Sequence, residues 1–274
     1  MAEPDRCGPA QRGNRMNGTR IVDMLRADLA FIPLLLLLAC SRQEPVTAVP
    51  GAAETELVEL GVYNTLVPEP SGLAYDPKDS TLYAVSDNAG EKIYKISLTG
   101  VTLSSLAVNG NDMEGITFTQ NFDTLVIVEE GLRNVVWITL QGQRIGTLHV
   151  NVPNAGKNGL EAITINPVNG DIFVGHQDVP ELLIQFHSDN KEVKRTELIF
   201  APTISDLYYD QAEDVLWMLS AKAQMLYKIT TDGVLLKSWS LPVDKPEGIT
   251  FGTNNRMYIC CDQTGKLYVF NKPQ

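Results

Sequence analysis

Three glutamates, Glu114, Glu161 and Glu247, stand at the same place in a block that recurs along the chain. The blocks read Asn111-Asp112-Met113-Glu114-Gly115-Ile116-Thr117-Phe118, Leu160-Glu161-Ala162-Ile163-Thr164-Ile165 and Pro246-Glu247-Gly248-Ile249-Thr250-Phe251. Two further copies, Pro70-Ser71-Gly72-Leu73-Ala74-Tyr75 and Ile204-Ser205-Asp206-Leu207-Tyr208-Tyr209, carry serine there, with Asp112 and Asp206 close to the same point. Carboxylates gathered by a repeat repel one another, and the repulsion is relieved by a proton, a basic partner or a cation. No Lys, Arg or His recurs in the block; Lys245 alone adjoins it. Hard oxygen donors of this kind suit Ca²⁺, which takes about six to eight oxygens, waters included. The same glutamates can instead cap backbone N–H groups of an adjoining element, and spacing alone favours neither use.

A second set follows each block: Ser86-Asp87-Asn88, Glu129-Glu130, His176-Gln177-Asp178, Ser220 and Asp262. His176 beside a carboxylate has the chemistry of a base or a ligand, and a loop histidine commonly does neither. The chain has no Gly-x-Ser-x-Gly elbow, Walker loop, His-Glu-x-x-His pattern or dinucleotide fingerprint. Its cysteines, at positions 7, 40, 260 and 261, form no disulfide framework. Cys260 and Cys261 are neighbours on an expected strand, so their side chains point to opposite faces and do not pair easily, and one of them reads as core packing.

What holds these residues is legible in their spacing. From Ser71 the anchor recurs after 43, 47, 44 and 42 residues, and each interval is filled with short strands, as in propeller blades. The first blade is expected to run Gly72–Tyr75, Thr81–Val85, Lys92–Ile96 and Thr102–Ala107, with hairpin turns at Asp76–Ser80 and Leu98–Gly100. Four more blades follow the same plan, the last with only three strands. A ring must close or leave an open sheet edge in water, so the spare strand Leu57–Tyr63 is expected to pair with Leu267–Phe270. The expected fold is all-β: a five-bladed propeller of four-stranded antiparallel blades over residues 57–274, closed by an N-terminal strand. The third-strand aromatics Tyr94, Trp137, Phe186, Tyr227 and Tyr268 read as packing between blades.

At 274 residues and 44% hydrophobic content the chain can bury a full core. Its formal charge is -11. Residues 1–39 set five Arg against Glu3, Asp5, Asp23 and Asp28, so the acidity belongs to the rest. Such a domain repels nucleic acid and anionic lipid, and no Lys/Arg cluster offsets this.

Residues 1–39 read as an N-terminal extension and a signal peptide. Arg26 precedes the apolar run from Leu29 to Ala39, which is too short to span a membrane as a helix and suits a secretory core. Asp23, Asp28 and Pro33 depart from the usual pattern; an uncleaved anchor or a buried helix is the other reading. The ending Leu37-Leu38-Ala39-Cys40 resembles the lipobox of bacterial lipoproteins. That resemblance implies removal of residues 1–39 and lipidation of Cys40. With Ser41 next, it implies an outer-membrane address facing the periplasm. Acyl chains contribute about 0.8 kcal/mol per buried CH₂, enough for anchoring without a transmembrane helix. Residues 40–56 then form the lipidated Cys40 and a flexible tether.

Taken in order, Glu69–Tyr75, Thr81–Asn88, Asp112–Ile116, Gly159–Ile163 and Lys245–Phe251 resemble the SdiA-regulated family of bacteria. NHL-repeat propellers are distantly similar. The resemblance implies a five-bladed propeller with a bound Ca²⁺ and brings no established enzymatic activity. The calcium implication falls on Glu114, Glu161 and Glu247, with Asp87 and Glu129 as helpers; Ser71 and Ser205 depart from the acidic form. Two functions are carried forward. One is an envelope lipoprotein whose calcium-binding propeller receives a protein or small molecule at its channel mouth. The other is a calcium-dependent hydrolase, lactonase- or esterase-like, with His176, Asp87 or Glu129 as base.

Overall fold

The two ends of the propeller sequence meet in one sheet. In the computed structural model, which describes residues 57–88, 92–153, 158–177 and 179–274, strand β1 (Glu59–Asn64) is hydrogen-bonded to β20 (Lys266–Asn271). The expected leader 1–39, Cys40 and the tether up to residue 56 lie outside the described residues.

Blade 1 holds β2 (Pro70–Asp76), β3 (Thr81–Ser86), β4 (Lys92–Ser97) and β5 (Thr102–Ala107). Blade 2 holds β6 (Met113–Phe118), β7 (Thr124–Glu129), β8 (Asn134–Thr139) and β9 (Arg144–His149). Blade 3 holds β10 (Leu160–Ile165), β11 (Ile172–His176), β12 (Leu182–Phe186) and β13 (Glu192–Glu197). Blade 4 holds β14 (Asp206–Asp210), β15 (Val215–Ser220), β16 (Met225–Thr230) and β17 (Leu235–Ser240). Blade 5 holds β18 (Pro246–Phe251), β19 (Arg256–Cys261) and β20, completed by β1. All pairings are antiparallel, and every element among the described residues is a strand. The five-bladed ring and its closure are as the repeat predicts.

Each blade is bare outside and buried inside. The second strands are almost wholly buried, whereas β5, β9, β13 and β17 are mostly exposed or half-buried, the buried Trp239 of β17 excepted. The apolar core divides into five clusters, one at each interface between adjacent blades. Cys260 and Cys261 enter different clusters, as their opposite orientation on β19 requires. Between third and fourth strands the hairpins use Gly100, Gly142 and Gly233 at positive φ; in blade 3, Asn190 (φ 66°) takes that place. Asparagine tolerates the left-handed region better than other non-glycine residues.

The inner strands β2, β6, β10, β14 and β18 touch in sequence around the ring and form its axis. They approach backbone to backbone. A Cβ at Gly72 would lie 2.7 Å from the carbonyl oxygen of Glu114, and one at Gly115 2.8 Å from that of Glu161. The glycine after the anchor residue is therefore a packing requirement of the axis.

Candidate metal centre at the acidic mouth of the channel

The anchor residue falls in a β-bulge in four of the five blocks, the exception being that of blade 4. Pro70 pairs with Ser86 and Gly72 with Val85, leaving Ser71 over; Leu160 and Ala162 pair with His176 and Gly175, leaving Glu161; Pro246 and Gly248 pair with Cys261 and Cys260, leaving Glu247. In β6 the ladder is broken between Met113 and Ile116, which takes in Glu114. Bulges re-aim a side chain out of the regular alternation. Glu69, Asp112 and Lys245, two residues before Ser71, Glu114 and Glu247, have positive φ (43°, 57° and 44°), a backbone form that costs non-glycine residues about 1–2 kcal/mol.

A second layer comes from the residues just after the second strands. The backbone N–H of Asp87 donates to Glu69, that of Glu130 to Asp112 and that of Gln177 to Gly159. These bonds hold the turn of each blade against the start of its own inner strand. Gly159 is pressed so closely on Glu130 that a Cβ would sit 2.0 Å from the Glu130 carbonyl oxygen.

The two layers assemble an acidic mouth. Carboxylate oxygens of Asp87, Asp112 and Glu114 all lie within 4.8 Å of one another. Asp87 and Glu130 each share a hydrogen bond with Asp112, and Glu161 shares one with Glu130. Carboxyl groups bond in this way only when one of them carries a proton. Burial, followed by the charges of Asp87, Glu130, Glu247 and Asp112, holds the Glu114 carboxyl well above the usual carboxylate range. Burial and then the charges of Glu114 and Glu130 do the same to Glu161. Asp87 is pushed up to about 7 by burial and by Asp112. Glu247 is raised to about 7 by burial and by Asp262, against the lowering bond from Ser205. Lys245, the basic residue among these positions, is bound to Asp262 at 3.0 Å.

Strand alternation splits the second set of sequence candidates. Asp87, Glu130 and Asp262 act on the mouth, whereas Ser86, Glu129, His176, Ser220 and Cys261 are buried in the blades. Glu129, expected as a helper, is thus not brought to the cluster. Its carboxylate is held by both terminal nitrogens of Arg144, at 2.8 and 3.0 Å, and by Asn134 at 3.0 Å. Its neighbour Glu130 stands at the mouth instead. His176 is fully buried, with Nδ1 3.2 Å from the carbonyl oxygen of Pro180, and is not a surface base. Asp178 lies outside the described residues. Asp112 and Glu130, which are not among the ligands expected from sequence, also stand at the mouth. A ladder register would have found Glu130, because its sequence neighbour ends β7 facing the other way.

The capping use considered for the glutamates belongs chiefly to Asp206. It occupies in β14 the place of Gly72, Gly115, Ala162 and Gly248, and is fully buried. Its carboxylate accepts the N–H of Leu207 at 2.8 Å and that of Ile249 at 2.7 Å, and bonds the backbone of Leu73. One side chain on the axis therefore ties blade 4 to blades 5 and 1. Burial raises its carboxyl well above the normal range despite these donors. Glu130 has a lesser share of the capping, accepting the N–H of Gly159 at 3.2 Å.

The donor set at the mouth is carboxylate oxygen throughout, and burial with neighbouring charges raises Asp87, Glu114, Glu130, Glu161 and Glu247. Such a set fits a hard divalent ion. Asp87, Asp112 and Glu114 are grouped closely enough to serve as ligands, with Glu130, Glu161 and Glu247 at the same mouth.

Solved structures similar to this chain are propellers. A chain in the crystal structure of a nidogen/laminin complex matches with a TM-score of 0.54 at 19% identity, over 73% of this chain and 74% of that one. A gluconolactonase from Xanthomonas campestris matches with a TM-score of 0.51 at 16% identity, over 77% and 88%. At these identities the likeness is one of fold. No curated protein matches the sequence. The SdiA-regulated family profile matches residues 55–274, which is the whole propeller, and the chain belongs to the SdiA-regulated family.

Proposed function

We propose that this chain is a calcium-binding propeller that serves as a binding module in the bacterial cell envelope, anchored through lipid on Cys40. The observation that carries the metal is the grouping of Asp87, Asp112 and Glu114 oxygens within 4.8 Å of one another, in a mouth where burial and then neighbouring charges also raise Glu161 and Glu247. A bound Ca²⁺ would neutralise that charge and fix the loops after β3 and β7 against the inner strands. A protein or small-molecule partner would then meet an ordered rim. Anchoring rests on the sequence of the Leu37–Cys40 segment alone, and the outer membrane, on its periplasmic side, is the proposed address. Isothermal titration of the metal-free chain with Ca²⁺ tests the metal. Palmitate labelling of cells expressing wild type and Cys40→Ala tests the anchor, and label on the variant refutes it.

A second reading, a calcium-dependent hydrolase, is favoured by one observation. Asp87 keeps solvent access at the mouth although its carboxyl is partly desolvated, and it is raised to about 7 by that burial and by Asp112, suited to a base near neutral pH. A cation there would polarise a carbonyl or phosphoryl oxygen. The fold shared with the Xanthomonas gluconolactonase is compatible with this reading. Turnover of a panel of lactones and phosphoesters, abolished by Asp87→Asn, would establish it over the binding module.

A further inference from the structure

The axis has a second end of opposite chemistry. Where the inner strands finish, a cavity of about 290 Å³ opens, with all five blades contributing to its wall. Its lining is aromatic and neutral: Tyr75, Phe118, Phe122, Tyr208 and Phe251, with threonine hydroxyls between them, and no charged side chain among the described residues. Phe118 and Phe122 stand 5.6 Å apart between centroids, and Tyr208 and Phe251 4.8 Å apart, so the walls hold one another in place. Asp206, buried and tied to the backbones of three blades, begins β14 two residues before Tyr208 and is not part of the cavity wall.

We propose that this cavity is a binding site for a small uncharged ring compound of one or two rings carrying a hydroxyl or carbonyl group. Size sets the first limit, since an apolar cavity of about 150 Å³ admits one benzene, and this one has roughly twice that volume. Aromatic walls favour a flat ring by stacking and edge contacts. Among the described residues no cation or anion lines the wall, and the nearest ammonium groups are engaged, Lys78 on the Phe122 carbonyl and Lys272 with Asp210 and Glu213. An ionised ligand thus has no free partner for its charge, which is costly in an apolar site. The phenol of Tyr208 supplies the polar contact. Burial, with the charge of Asp210, holds it neutral, raised to about 12, so it can donate or accept. This site does not depend on the metal reading of the other mouth.

Titration of the full chain with 2-naphthol, followed by the naphthol fluorescence and by calorimetry, tests the proposal. Saturable one-site binding is expected, unchanged by Glu114→Gln. Tyr208→Phe should weaken it about fivefold, the worth of one hydrogen bond, and Thr117→Phe, which fills the cavity, should weaken it more than tenfold. Both variants should melt as wild type does within a few degrees; if Thr117→Phe does not fold, Tyr208→Phe decides. The proposal is overturned if folded wild type shows no saturable binding, if Tyr208→Phe binds as tightly as wild type, or if 2-naphthoate binds as tightly as 2-naphthol.

Discussion

Glu129 and Glu130 are consecutive in the chain and serve opposite sides of blade 2. Glu129 ends β7 and is locked in a two-pronged ion pair with Arg144; Glu130 turns to the acidic mouth and shares hydrogen bonds with Asp112 and Glu161. Chemically identical substitutions at the two positions should therefore have different consequences. Glu129→Gln leaves a partly exposed Arg144 without its carboxylate and should cost about 2–4 kcal/mol, with the calcium response intact. Glu130→Gln should leave stability nearly unchanged while weakening calcium binding at least tenfold. Parallel thermal melts with and without Ca²⁺ check both.

The metal-free protein should lose stability as the pH rises from about 4 to about 7. Asp87 and Glu247 have folded values near 7, against about 4 in an unfolded chain. Within that window the folded state holds more protons than the unfolded one, so unfolding becomes easier with rising pH. Below it both states are protonated at these groups, and above it the loss is complete. Ca²⁺ should flatten the dependence by taking the place of the protons. Chemical denaturation at pH 5 and pH 8, with chelator and with Ca²⁺, measures the effect; a chelated protein more stable at pH 8 would contradict it.

Asp206 should be the costliest single carboxylate to remove. Asp206→Ala strands the N–H groups of Leu207 and Ile249 on a dry axis, at about 1–3 kcal/mol each. The expected loss is about 3 kcal/mol or more, which at roughly 2–4 °C per kcal/mol lowers the melting temperature by about 6–12 °C. Asp206→Asn keeps an acceptor and should lose less than half as much. A melting scan of the two variants separates this capping role from a merely electrostatic one, in which both would stabilise.

Ring closure gives a sharp truncation test. A chain beginning at Leu57 retains β1 and should melt cooperatively, as the full chain does. A chain beginning at Thr65 leaves β20 as an open edge and should aggregate or melt without a single transition. Size-exclusion chromatography and a thermal scan on both distinguish the outcomes.

The architecture was readable because one position per blade is chemically conspicuous. Spacing between anchors counts the blades, and the missing outer strand in the last names the strand that closes them. The site was readable only in part. Glu114, Glu161 and Glu247 mark their own places, and Asp87 falls on the right side of its strand end. Glu129 did not, because sequence shows two adjacent carboxylates without showing where the ladder of β7 stops; one residue reverses the side on which a chain points. Asp206 was hidden for a related reason. It sits where the other blades have Gly or Ala, and only the closeness of the inner strands makes an extra carboxylate there a cap for three backbones.

Removal of one repelling carboxylate from the mouth separates a metal site from an acidic surface in a single experiment. Thermal melting of wild type and Glu114→Gln, each with chelator and with Ca²⁺ stepped from micromolar to millimolar, is the most direct test. For wild type, Ca²⁺ at about one hundred times its dissociation constant should add about 2.7 kcal/mol, or roughly 5–10 °C. Glu114→Gln should melt higher than wild type in chelator near neutral pH, since folding no longer has to keep a buried carboxyl protonated, and should gain little from Ca²⁺. A wild-type melting temperature that does not move across millimolar Ca²⁺ would contradict the account.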